Sequence, residues 1–147
     1  MAHRPKNPLI PVRDGVSPGC VAVPFDKPAP WATVLDFLSE RLPMVSRAGW
    51  ARRLADGDVL DDQAQALAPD APCEPGARLY YYRRLDAEPV IPFTEAVLFQ
   101  DAHLLVADKP HFLPVIPTGR YVQQSLLVRL KRATGIDTLS PIHRIDR

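Results

Sequence analysis

Apolar positions recur at helical spacing in three stretches of the chain. Val34, Leu35, Phe37, Leu38 and Leu42 form one apolar face. Thr33 precedes them and Asp36 follows at the capping-box interval, with an acid one carbon shorter than usual. Pro43 ends that helix. Ser46 can cap a second helix, whose buried side includes Trp50, Ala51 and Leu54 and whose stop is Gly57. The third stretch runs from Gln124 to Thr134, with Leu126, Leu127, Leu130 and Ala133 inward and Gly135 as its stop. Arg129 and Arg132 then fall three apart on one exposed face.

Elsewhere the apolar runs are short. Val59-Leu60 and Leu79–Tyr82 read as strands, with Pro75-Gly76 as a turn between them. Val97–Phe99 and Leu104–Ala107 read as a hairpin around Gln100–His103, although this turn lacks the residues hairpins favour. Lys109-Pro110 ends its second strand. Residues 1–30 hold seven prolines, which exclude long helices and central strands and predict an extended arm. Residues 1–20 should lack regular structure and make few contacts. Val21-Ala22-Val23 could add a short edge strand. Pro89 and Pro92 punctuate a boundary between about residues 84 and 95. The expected fold class is therefore α+β in parts: an arm over 1–30, a module over 31–85 and a third part over 86–147.

Composition adds bounds. The 147 residues suffice for one ordinary domain or two small ones. With 46% hydrophobic and 24% charged residues the chain reads as globular. Cys20 and Cys73 make neither a disulfide framework nor a zinc-ligand spacing, and His103 and His111 have no ligand partner at metal-binding intervals. No metal is expected. No long apolar run suggests a signal peptide or a membrane span, so a cytoplasmic location is expected; a monomer is expected as well. The net charge is only +1, but it is unevenly spread. Residues 54–74 carry six acids and no Lys or Arg, whereas residues 120–135 carry four basic residues and no acid. Such a chain can present a basic face despite near-neutrality, or simply two solvated faces.

The candidate chemistry lies in His143-Arg144-Ile145-Asp146-Arg147, after Ser140-Pro141-Ile142. In extended backbone Arg144 and Asp146 share a face. A carboxylate between guanidinium groups stays ionised and can act as a nucleophile, while arginines can hold phosphates. The alternative is a solvated ion-pair patch. A carboxylate hydrolase would need a second acid that no spacing supplies.

This motif resembles the catalytic run of the RluA-type pseudouridine synthases, which reads His-Arg-Leu-Asp-Arg; Ile145 replaces its Leu. Val97–Pro110, with Asp101, an apolar strand and Lys109-Pro110, resembles the family's upstream segment, as does the Pro-Ile-His-Arg entry into the motif. Residues 31–83 resemble the small α-L RNA-binding module through Phe37-Leu38, Arg41-Leu42, Val45-Ser46-Arg47, Arg53-Leu54, Gly57, Val59 and Pro75-Gly76. Asp61-Asp62 stands where the family usually has Asn-Gly.

The resemblance implies an α-L-type module followed by the first part of a mixed or antiparallel-sheet catalytic domain. The implied activity converts uridine to pseudouridine in ribosomal or transfer RNA, with Asp146 as the catalytic carboxylate and no cofactor. Arg144 would fill the space of the flipped base and hold a phosphate. His143, Arg147, Lys109, Arg47, Arg52, Arg53, Arg129 and Arg132 are the further RNA-binding candidates. The family's active-site tyrosine and later basic residue have no counterpart in these 147 residues, so the polypeptide by itself is expected to be inactive. A non-catalytic RNA-binding or regulatory protein is the alternative.

Overall fold

The computed structural model describes residues 7–25 and 30–145. Asp146 and Arg147 lie outside them. The chain forms two compact units. The first takes Ser17–Tyr82 with the residues up to Pro11, and the second takes Val12–Val16 with Arg83 onward.

In the first unit, helix α1 (Val34–Arg41) opens with the predicted capping box. Thr33 Oγ1 accepts from the Asp36 amide at 3.2 Å, and Asp36 Oδ2 accepts from the Thr33 amide at 3.1 Å. Helix α2 (Arg47–Ala55) opens on Ser46, whose hydroxyl accepts from the Gly49 amide at 3.1 Å. Gly57 follows it with φ +76, the left-handed conformation that the sequence assigned to a helix stop. The inward residues are those the periodicity selected. Val34, Phe37, Leu38, Trp50 and Leu54 are buried, together with Val59 and Leu79 from the strands. Trp50 is large enough to need a polar exit, and its indole N–H donates to the Leu42 carbonyl at 3.2 Å. Each such side chain contributes roughly 1.5–3 kcal/mol by leaving water.

A three-stranded antiparallel sheet completes this unit in the order β1 (Gly19–Ala22), β3 (Arg78–Tyr81), β2 (Val59–Leu60). The register sets Val21 against Leu79 and Val59 against Tyr81. Asp61 closes the turn after β2, its Oδ1 accepting from the Gln63 and Gln65 amides at 2.9 and 2.8 Å. An aspartate can do this work of an Asn-Gly turn because its carboxylate substitutes for a backbone acceptor.

The expectation of few contacts over residues 1–20 does not hold for residues 7–20. Ile10 packs with Leu60, Tyr80 and Tyr82 in the first unit, and Val16 packs with Val122 and Val128 in the second. Pairing of β1 begins at Gly19. The prolines do prevent helix here, but they leave isolated apolar side chains free to bury, and β1 sits at a sheet edge where neighbouring prolines cost no hydrogen bond.

In the second unit, β4 (Ala96–Gln100) and β5 (Leu105–Asp108) form an antiparallel hairpin. The register shifts between Val97 and Phe99, leaving Leu98 as an extra residue. Helix α3 (Leu126–Thr134) ends at Gly135 with φ +71. It starts two residues later than its apolar pattern suggested, because Gln124 and Ser125 are used otherwise. The amides of Leu126 and Leu127 donate to the Pro114 and Val115 carbonyls at 2.8 and 2.9 Å. Its inward face also differs from expectation: Val128, Leu130 and Lys131 are buried, Leu126 and Leu127 are half-buried and Ala133 is exposed.

Gly15 binds the Arg13–Val16 turn to α3. Its φ is +75, and a Cβ placed there would lie 2.8 Å from the Val128 carbonyl oxygen. Gly15→Ala is therefore expected to lower the stability of the second unit by about 1–3 kcal/mol, since a left-handed L-residue and a backbone clash coincide. Urea unfolding of the variant should show the loss. An unchanged midpoint would mean the turn does not dock as described.

Candidate active-site cleft

The second unit holds an open cleft of about 570 Å³. The β4–β5 hairpin supplies Leu105 and Ala107, α3 supplies Leu126, Leu127 and Leu130, and the segment 136–145 supplies Thr138, Ser140, Ile142, His143 and Ile145. Apolar surface is unusually open here. All five residues of β4 are exposed, and Val97, Leu98, Phe99, Leu104 and Val106 each show 40% or more of their surface. A patch of this kind marks a face that other atoms cover during function or assembly.

The hairpin turn is closed by a side chain rather than by favoured turn residues. Asp101 Oδ1 accepts from the amides of His103 and Leu104 at 2.8 and 2.7 Å. These two amides hold the Asp101 carboxyl below the usual carboxylate range. In the first unit, the Thr33 hydroxyl and then the Arg47 guanidinium lower Asp36 in the same way. A depressed folded value means that both carboxylates stabilise the fold fully above the ordinary carboxylate range. That stabilisation is lost as pH falls through the lowered values. An acid titration followed by circular dichroism should be flat near neutrality and decline only at acid pH. Asp36→Asn should shrink the acid-side decline, and an identical profile in that variant would remove the cap from the explanation.

His143 and Arg144 are exposed and lead directly toward Asp146, which with Arg147 lies outside the described residues. Lys109 is half-buried, and its ammonium donates to the Pro110 and Leu113 carbonyls at 3.1 and 2.9 Å. It braces the turn after β5 while lining the cleft. Arg132 is exposed on α3, donating to Gln123 Oε1 at 3.1 Å.

Arg129 requires a correction. It does not lie on an exposed face with Arg132; its side chain is 16% exposed. One guanidinium nitrogen donates to the Phe93 carbonyl at 2.7 Å and to Glu95 Oε2 at 3.0 Å. The other donates to the Ile91 carbonyl at 2.8 Å and to Gln124 Oε1. Spacing three apart places two residues on neighbouring stripes of a helix, but the segment 91–95 covers one of them.

In the first unit, Arg47 pairs with Asp36 at 2.8 Å, Arg52 is exposed, and the Arg53 guanidinium stacks 5.3 Å from the Trp50 ring centroid. The α2 arginines thus stand on a helix whose opposite side is the core. A further residue escaped the sequence reading. Glu88 accepts from three consecutive amides, Val122, Gln123 and Gln124, at 2.7, 3.0 and 2.6 Å. Its partners are more than thirty residues away, so only a signal of long-range pairing could have identified it.

Among the described residues no group of three or more His, Cys, Asp or Glu could hold a metal ion. No helix among them is long and apolar enough to cross a membrane.

Two antiparallel sheets and three helices make this a small α+β protein. Comparison with known proteins places that fold in a family. An uncharacterized RNA pseudouridine synthase from Synechocystis is 35% identical over 112 residues, covering 76% of this chain and 38% of the relative. RNA pseudouridine synthase 5 of Oryza sativa is 30% identical, covering 67% of the chain and 28% of that protein. The mitochondrial tRNA pseudouridine(32) synthase of Saccharomyces cerevisiae is 29% identical, covering 67% and 21%. The chain belongs to the RluA-type RNA pseudouridine synthase family. It spans less than two fifths of the length of each of these relatives. No family model and no solved structure matches it.

Proposed function

We propose that these residues serve an RNA pseudouridine synthase, as its α-L-type RNA-binding module and the first part of its catalytic domain. The observation that supports this best is the match to the Synechocystis relative over 76% of the chain. In this reading residues 1–30 lead into a module over 31–85, and residues 86–147 belong to the catalytic domain. The protein acts in the cytoplasm as a monomer and uses no cofactor.

The reaction breaks the bond from ribose C1′ to uracil N1 and rejoins the base through C5. The target base must first leave its stack, at a cost of a few kcal/mol. Asp146 is the reacting carboxylate. Arg144 fills the vacated space and holds a phosphate, with His143 beside it and Arg147 bracing Asp146. Arg47, Arg52 and Arg53 on α2, Arg132 on α3 and Lys109 supply the remaining phosphate contacts. Arg129 is assigned to the fold instead, because its donors are spent on Ile91, Phe93, Glu95 and Gln124.

The 147-residue polypeptide by itself should not turn over. It covers only 38% of the Synechocystis relative. A second reading, a non-catalytic RNA-binding protein, draws support from the first unit, which has its own core and presents Arg52 on α2. Release of tritium from RNA labelled at uridine C5 separates the two. A chain extended to the relatives' length should release it, and failure of that longer chain on ribosomal and transfer RNA alike would favour the second reading.

A further inference from the structure

A turn in the second unit presents cations that neither the motif nor the helix arginines account for. Thr118 and Tyr121 close a two-residue turn by exchanging both backbone hydrogen bonds, each 2.9 Å long. Gly119 and Arg120 form its tip, with Gly119 at φ +52. The turn has little freedom to move. Tyr121 and Val122 are buried on its C-terminal side, and the Glu88 carboxylate grips the next three amides. Arg120 is exposed at the tip, its guanidinium 5.4 Å from the Tyr121 ring centroid. Arg83 donates to the Gly119 carbonyl at 3.0 Å, which brings a second guanidinium to the same turn. Among the described residues neither arginine has a carboxylate partner. Glu88 has its charge directed at the backbone amides of Val122, Gln123 and Gln124, just after the turn.

Two guanidinium groups held on one rigid turn differ from ordinary surface arginines. The stacking on Tyr121 and the bond to Gly119 reduce the side-chain freedom that phosphate binding would otherwise have to remove. Arg120 is exposed and Arg83 half-buried, and each guanidinium carries its donors in the planar fork that fits a phosphate. A contact made to phosphate oxygens carries no sequence information directly.

We infer that Arg83 and Arg120 form a preorganised grip for the phosphodiester backbone of the RNA strand. The inference rests on the RNA reading of the chain but concerns residues outside the motif, and its test requires no turnover. Fluorescein-labelled oligouridine is titrated with the 147-residue chain over a series of salt concentrations, and affinity is read by anisotropy. Each single-strand phosphate contact contributes about 0.7 to the slope of log affinity against log salt. Arg83→Gln with Arg120→Gln should therefore lower the slope by about 1.4 while leaving the thermal midpoint in place. Arg83→Lys with Arg120→Lys keeps both charges and should keep the wild-type slope.

Wild-type binding with an unchanged slope in the Gln pair would overturn the grip and leave the RNA reading standing. No binding by the wild type even at the lowest salt would overturn both. A slope lost equally in the Lys pair would mean that the turn had been damaged, and would overturn the grip as well.

Discussion

Asp146→Asn, in a chain extended to the length of its relatives, is expected to abolish pseudouridine formation and leave RNA binding within about twofold of wild type. The argument begins with the side chain. Asn keeps the size of Asp and can still be braced by its neighbours, but it loses the negative charge and the nucleophilic oxygen. The groups proposed to hold phosphate, Arg144 and the exposed arginines of α2, are untouched by this substitution. The loss should therefore appear in kcat and scarcely in binding. Arg144→Ala should do the reverse in part: slower flipping and weaker binding, with residual chemistry. Tritium release from C5-labelled RNA measures the first quantity and anisotropy the second. Full activity of the Asp146→Asn chain would remove this carboxylate from the chemistry.

What could be read from the sequence follows the range of the forces involved. The caps of α1 and α2 were legible because Thr33 with Asp36 and Ser46 with Gly49 interact within one helical turn. The stops at Gly57 and Gly135 were legible because only one backbone conformation need be supplied at each. Arg129 was not legible, since three of its four acceptors lie 34 to 38 residues away along the chain. Glu88 escaped for the same reason. Ile10 and Val16 gave no periodic signal at all, being single apolar residues among prolines, and only tertiary packing shows where they are buried. The motif residues themselves were legible as chemistry because they are contiguous in the chain. His143 and Arg144 are exposed beside the cleft, and Asp146 and Arg147 lie outside the described residues.

The largest effect on the fold should come from Trp50. Its ring is 1% exposed and meets Tyr81 edge-on with centroids 5.5 Å apart. The Arg53 guanidinium lies 5.3 Å from its ring centroid, and its indole N–H closes the end of α1 through the Leu42 carbonyl. One side chain thus joins α1, α2 and β3. Trp50→Ala is expected to cost about 3–5 kcal/mol, enough to unfold a unit of this size, because the cavity it leaves is large and two helices and a strand line it. Trp50→Phe keeps most of the apolar volume and loses the hydrogen bond, which should cost about 1–2 kcal/mol. The distinction bears on the proposed RNA binding, because Arg47, Arg52 and Arg53 stand on a helix that this core anchors. Trp50→Ala should lose the salt-sensitive RNA binding assigned to α2 together with its helical circular dichroism, whereas Trp50→Phe should retain both. A folded Trp50→Ala chain with a wild-type unfolding midpoint would show that the first unit does not depend on this contact, and the placement of α2 on the sheet would need another cause.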